Sequence, residues 1–430
     1  MANSYLNRTS IATPSSRRTF TMSAWVKKCD ISNSQGVIWI GADTNNWVQF
    51  KFESGTDLRM ECRNSGSNVI DLTTNRKFRD VNAFYHILAQ VDTTQATESN
   101  RVKLWVNGVQ ETSFATATYP SQNLDLDTTT EQKVGLQHGT QYFNGYIAHA
   151  AYVDGSVVAP TVFGETDSTS GIWKFKSPSG VTWGTNGFHL KFENSGAMGT
   201  DSSGNSNTFT VNGNLKQALD TPSNSYCTLN RLSTDSGVTL SNGNTESDYD
   251  ASVGNAKGTL GFSSGKWYWE VKIATASSDY PMLGIGSLDE AQMQKPTGGS
   301  YPGGFTNSYG GYGNGNVYAN GSNTGSQSFS WATNDIIGIA VDLDSATKTI
   351  KWYKNGSQIA SYNITTVAPF TVMDYNGAEG SVNLQYNFGN GFFGTTAITS
   401  AGSNGNGSLF EYDVPSGYYA LNTKNINTYG

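Results

Sequence analysis

The sequence predicts an all-β protein made of two antiparallel β-sandwiches joined by an irregular segment. Three observations carry this reading. Apolar and polar residues alternate with period two in segment after segment. Phe20, Met22, Ala24 and Val26 fall on one face, and so do Trp267, Trp269, Val271 and Ile273. Trp47–Phe52 behaves similarly. Such alternation marks a half-buried antiparallel strand. Helical periodicity is nearly absent. Its best candidate, Ser287-Leu288-Asp289-Glu290, has capping-box spacing but leaves room for only a turn or two before Lys295-Pro296. Finally, one strand–loop–strand–hairpin pattern occurs twice.

In the first half, Ala89–Asp92 is followed by Val102–Val106 and then Asn107-Gly108. In the second half, Ala340–Asp342 is followed by Thr349–Lys354 and then Asn355-Gly356. Asn-Gly suits a type I′ hairpin, which needs positive φ at both central residues. Trp105 lies two residues before its Asn and Trp352 three before. That offset turns the two Trp to opposite faces, so Tyr353 is the equivalent of Trp105. Two sandwiches of similar design follow, not two copies of one sequence.

The composition agrees. Among 430 residues, Gly is 48 and Pro only 10, and 12% are aromatic. Charged residues make up 14%, against about 25% in an average soluble domain. The aromatics exclude a disordered chain. The net charge of −7 argues against phosphate-driven nucleic-acid binding, which needs a basic surface. No stretch approaches the roughly 18 apolar residues that span a bilayer, so no membrane insertion is expected. The start, Met1–Tyr5, has no basic region followed by an apolar run, which predicts no secretory leader. Three cysteines, Cys29, Cys62 and Cys227, do not make a disulfide framework and fit a reducing compartment. A Cys29–Cys62 bridge is the alternative.

Several segments resemble known families. FTMSAWVK at Phe20–Lys27, Tyr85-His86-Ile87 with Asp92, Leu104–Gly108 and Phe143–Ile147 resemble laminin-G/concanavalin-A-like jelly rolls. The second half resembles a SPRY domain in five ordered motifs, namely Gly265–Ile273, Met282–Gly286, Asp335–Asp342, Ile350–Gly356 and Asn387–Gly389. Between them lie Ala159–Asp167, Gly171–Lys174, Thr185–Phe192, Asp201–Asn207 and Asp220–Asn224. This string is similar to joints in bacteriophage virion structural proteins, especially marine ones, and Val414–Tyr418 with Leu421–Thr423 is similar to the segment that follows SPRY there. The resemblance implies jelly-roll-type sandwiches over 1–157 and 230–398, a connecting segment over 158–229 and a tail over 399–430.

Motifs that would carry catalysis fail their context. Gly261–Gly265 fits GxSxG, but it precedes a strand and not a helix, so a turn is the better reading. Gly389–Gly394 fits GxGxxG without a βαβ unit. Glycoside hydrolysis usually needs two carboxylates flanking the scissile bond, and no single strand supplies an E-x-D-x-x-E pair. Asp342 and Asp344 read as turn-capping carboxylates, with a calcium or catalytic role as the alternative. His86, His138, His149 and His189 lack zinc-ligand spacing. His86 reads as a packing histidine before a ligand, and Asp201–Asn207 as an Asx turn before a weak calcium loop. No cofactor is expected.

The richest segment is Gly298–Gly321, where Tyr301, Phe305, Tyr309, Tyr312 and Tyr318 stand among Gly, Asn and Ser without a charge. Tyr gives rigid, amphipathic contact area, and the small polar residues adapt hydrogen bonds. Two readings stand: a recognition loop, or strand residues filling the sandwich. Tyr301, Tyr309 and Tyr312 are the candidate ligand-binding residues because Gly or Pro lies beside or near each, as in exposed turns. The SPRY resemblance implies a ligand face at one end of the sandwich. Together the resemblances imply a non-enzymatic phage virion protein. It would be a fibre, knob or decoration component, homo-oligomeric, bound to other virion proteins and contacting a host surface glycan or protein. The alternatives are a carbohydrate-active hydrolase and a free lectin or adhesin.

Overall fold

The computed structural model describes residues 3–9, 11–250, 253–276, 281–288, 301–366, 368–377 and 380–430. The described residues are nearly all-β, with 47% strand and 4% helix. It divides into two units. One is formed by 2–217 with 221–223, the other by 218–220 with 224–430. The candidate helical turn at Asp289-Glu290 lies outside the described residues.

In the first unit, an eight-stranded antiparallel sheet has Trp47–Glu53 and Gln35–Gly41 at its centre. A six-stranded sheet faces it, ordered Phe188–Leu190, Gly145–Asp154, Thr19–Lys28, Tyr85–Asp92, Val102–Val106, Val109–Gln110. The alternating set Phe20, Met22, Ala24 and Val26 points inward and meets Val48, Phe50 and Phe52 in one core. Yet Ser23, Trp25 and Lys27 on the other face are buried as well. The cause is the segment after residue 157, which does not stand apart as a connector. It returns over the outer face of the six-stranded sheet, where Phe163, Val181 and Trp183 pack with Leu88, Val153 and Trp105. Phe188–Leu190 then extends that sheet, and Thr210–Asn212 pairs with Tyr5–Thr9 in the other.

The second unit repeats the scheme. One sheet centres on Lys266–Ala276, flanked by Val382–Asn387 and Ile336–Asp342. The other is ordered Gly254–Phe262, Phe370–Asn376, Met282–Ser287, Ser308–Tyr312, Asn316–Ala319, Ser322–Ser326. Trp267, Trp269, Val271 and Ile273 share the core between the sheets with Trp352. Tyr353 instead faces outward and packs beside Tyr268, Phe410 and Tyr418, where the C-terminal tail covers the sheet. Trp105 likewise packs on the outer face of its own sheet, so the one-residue offset does turn the two tryptophans oppositely. The tail is thus part of this unit. Tyr419–Ala420 runs parallel to Trp267-Tyr268, and Thr423–Tyr429 forms a helix.

Candidate functional site

Strand alternation decides where the tyrosines go. In Ser308–Tyr312, Tyr309 points into the sandwich and is fully buried. Its hydroxyl lies 2.7 Å from Thr366 Oγ1 and accepts the Thr365 and Thr366 amides at 3.1 and 3.2 Å. The expectation of an exposed turn at Tyr309 is therefore corrected: glycines beside it belong to the strand. Tyr312, three residues on, points to the outer face.

That outer face assembles a cleft. Across adjacent strands, Tyr312 pairs with Met282, Met282 with Tyr375, and Tyr375 with Asn255. Tyr318 on the next strand stands 6.4 Å from Tyr312, ring centre to ring centre. Tyr301 comes from the preceding turn. It meets Tyr318 edge-on at 5.6 Å and Tyr375 at 5.5 Å. These four rings, Met282 and Gly377 line an open cleft of about 220 Å3. The turn is fixed by Ser308, whose Oγ accepts the Gly303 and Phe305 amides and donates to the Phe305 carbonyl. It can lie on the sheet because Gly310 has no side chain: a Cβ there would sit 2.3 Å from the Pro302 carbonyl oxygen.

Tyr301 and Tyr312 thus line one cleft, and Tyr309 does not. Tyr375 and Met282 come from other strands and were missed. Only the strand register, which sequence alone does not give, places them beside Tyr312.

The remaining candidates resolve as follows. His86 is fully buried between Trp25 and Trp173, with stacked rings at 4.9 and 6.0 Å. Trp173 Nε1–H donates to His86 Nδ1 at 3.1 Å. Nε2 therefore carries the proton and donates to Ser23 Oγ at 2.9 Å. A base for Ser23 would need the opposite tautomer, and burial pulls the imidazole pKa down to about 3. The pair is a packing clamp. Asp201 accepts the His189, Ser203 and Asn207 amides and the Ser203 hydroxyl, so its loop is an Asx turn closed on itself. Asp342 accepts the Asp344 and Ser345 amides, and Asp344 accepts that of Gly265, which is turn capping. Gly261-Phe262 end one strand and the following turn carries the chain to Lys266–Ala276 in the other sheet, so the motif leads into a strand and not a helix. Cys29, Cys62 and Cys227 are buried and form no disulfide with one another.

Carboxylates do gather on one face of the first unit, drawn from three strands and not from one. Glu61 pairs directly with Asp71 across the sheet, and Glu53 lies nearby. All three are ion-paired. Arg59 reaches Asp71 at 2.6, Glu53 at 2.8 and Glu61 at 3.3 Å, and Lys51 reaches Glu53 at 2.6 and Glu61 at 3.2 Å. Burial raises the Glu53 pKa, but the bonds from Lys51, Ser34 and Arg59 outweigh it and hold the value near about 2. A glycosidase acid needs the reverse, a carboxyl kept protonated near neutrality.

Comparison with known proteins supports both halves. Residues 2–163 match the laminin G type of the concanavalin A-like lectin/glucanases superfamily, and residues 266–390 match the SPRY domain. The chain therefore carries a concanavalin A-like region followed by a SPRY region. Similar solved structures include the SPRY domain of human HERC1, with 16% identity, 37% of this chain and 96% of that one covered, and a TM-score of 0.31. The TRIM65 PSpry domain is 14% identical over 37% and 89%, with a TM-score of 0.31. A human SPRY domain is 18% identical over 35% and 94%, with a TM-score of 0.27. No curated protein matches the chain.

Proposed function

We propose that the protein is a non-enzymatic virion component of a bacteriophage, displayed as a fibre, knob or decoration, that contacts the host surface through the tyrosine cleft. The observation that carries this reading is the cleft itself. Tyr301, Tyr312, Tyr318 and Tyr375 line an open space, and no charged side chain is among the described lining residues. Aromatic anchors in such a pocket dominate the energy of recognition interfaces. The virion setting rests on the resemblance of the segments at 159–224 and 414–423 to phage joints. Partners are other virion proteins, further copies of this chain, and a host surface glycan or protein.

The test has two parts. Mass spectrometry and cryo-electron microscopy of purified particles should find the protein on the exterior. Fluorescently labelled protein should bind host cells, and Tyr312→Ala should reduce that binding. Absence from particles with retained cell binding would favour a free lectin or adhesin.

A further inference from the structure

The same cleft has the form of a cage, and its geometry points to a definite ligand chemistry. Tyr375, Tyr301, Tyr318 and Tyr312 follow one another around it at ring separations of 5.5, 5.6 and 6.4 Å. Met282 closes the circuit, being the strand neighbour of both Tyr312 and Tyr375. At about 220 Å3 the space is below the roughly 300–1,000 Å3 of sites that enclose a drug-sized molecule. It suits one compact group.

We infer that this cage takes a methylated ammonium group, as in choline, held by the faces of the four tyrosines. A cation over an aromatic face is attracted by the ring quadrupole, and quaternary ammonium is the cation that several such faces recognise together. Its methyl groups also bury against rings and thioether, and it asks for no hydrogen bond. The surrounding charge has the right sign. Asn255, opposite Tyr375, is 1% exposed, and its Oδ1 has no hydrogen-bond partner among the described residues. Behind it Asp235 accepts both the backbone and side-chain N–H of Asn255 at 2.9 and 3.0 Å. Lys257, the cation two residues along that strand, also feels Asp235 and offsets part of its charge, but it pairs across to Met373 and not to a cage tyrosine. The inference rests on the cleft being the recognition site. It replaces a general glycan or protein with a methylammonium-bearing ligand, whether a lipid headgroup, a surface polymer or a free solute.

Isothermal titration of the full chain with choline chloride tests it, with the uncharged isostere 3,3-dimethylbutanol and a methyl glycoside panel as controls. Choline should bind and the isostere should bind at least about tenfold more weakly. Tyr318→Leu and Tyr375→Leu should each weaken choline by about tenfold. Tyr318→Phe and Tyr375→Phe keep the aromatic face and the fold, and should stay within about threefold. Flotation with phosphatidylcholine vesicles against phosphatidylglycerol vesicles assigns the source. Binding to the former supports a headgroup, and binding to free choline alone supports a solute or polymer. Equal binding of choline and its isostere, loss of choline binding in the Phe variants, or glycoside binding without choline binding would each overturn the cage. Host-cell binding is scored separately. If Tyr312→Ala abolishes it while choline fails to bind, the recognition site stands and the ligand class falls. If choline binds but cell binding is unaffected, the ligand class stands and the host-contact role falls.

Discussion

Asn107 is bonded to His86 twice. Its amide donates to the His86 carbonyl at 2.9 Å, and its side-chain Oδ1 accepts the His86 amide at 2.8 Å. The Asn thus ties the hairpin turn to the neighbouring strand through both its backbone and its side chain. Asn355 does the same to Ile336 at 2.8 and 2.9 Å. Both asparagines and the glycines after them have positive φ: 48° and 77° in the first unit, 48° and 84° in the second.

These pairs make an ordered mutational series. Asn355→Ala should destabilise the second unit by about 2–4 kcal/mol, from left-handed backbone strain and an unpaired amide. Asn355→Gly removes the strain and should cost about 1–2 kcal/mol. Asn355→Asp keeps the acceptor and should cost least. Urea unfolding of each variant gives the order, and equal losses for Ala, Gly and Asp would show that the side-chain bond contributes nothing.

The hairpins were legible in the sequence because a type I′ turn has a local residue signature. The inward sets on Thr19–Lys28 and Lys266–Ala276 were legible because alternation is local as well. The layers that cover both outer faces were not. Their contacts, such as Trp173 on His86 and Phe410 on Tyr268, join irregular segments or strands of three residues to distant strands, and such segments are too short or too irregular to show a period. The cleft was half legible for the same reason. Tyr301 and Tyr312 stood out by composition, whereas Tyr375 joins them only through the pairing of both strands with Met282. Tyr309 was misplaced because Gly310 and Gly311 imitate a turn. In the strand they make room, Gly310 for Pro302 and Gly311 for the Trp331 and Trp352 rings.

Two units follow from separate cores. Fragments 2–223 and 218–430 should each give a cooperative melt and dispersed NMR spectra. A fragment ending at residue 157 should fare worse than one ending at 223. It would expose the face bearing Leu88, Val153 and Trp105, which Phe163 and Trp183 normally cover. Equal stability of the two would mean that the covering layer is dispensable.

Glu270 makes the second unit sensitive to pH. It is fully buried and accepts four donors: the amides of Glu411 and Tyr412, the Tyr268 hydroxyl and Asn387 Nδ2. Burial pushes its pKa up to about 7 despite those donors. The folded state then binds the proton more tightly than the unfolded chain, whose carboxyl titrates near 4.5. Its contribution to stability is fully present below about pH 4.5 and is lost as pH rises through about 7. Relative to Glu270→Gln, the wild type should therefore lose stability between pH 4.5 and 7.5. The opposite slope would mean that the four donors outweigh burial.

His86, His149 and His189 impose the reverse dependence on the first unit. Burial lowers the first to about 3; burial, His189 and Lys191 lower the second to about 3; and burial and Lys191 lower the third to about 4. Each contribution is whole above about pH 6.5 and is lost as the pH falls toward those values. His86→Gln should flatten part of this acid loss in the isolated fragment 2–223, measured by urea midpoints at pH 4.5 and 7.5. An unchanged slope would place the acid sensitivity elsewhere.

The last prediction separates the tyrosines. Tyr309 fills the core and holds the Thr365-Thr366 turn through its hydroxyl, so Tyr309→Ala should cost about 3–5 kcal/mol. Tyr309→Phe keeps the ring but leaves two amides short of an acceptor, for a loss of about 1–3 kcal/mol. Tyr301 and Tyr312 are only partly buried on the outer face. Their Ala variants should lose no more than about 1–2 kcal/mol, because water already reaches part of each ring. Host-cell binding should fall for Tyr301→Ala and Tyr312→Ala, whereas for Tyr309→Phe it should persist wherever the protein is folded. Melting curves and binding are therefore measured on the same preparations. A Tyr309→Ala variant as stable as wild type would refute its place in the core, and normal binding in both outer-face variants would refute the cleft as the contact surface.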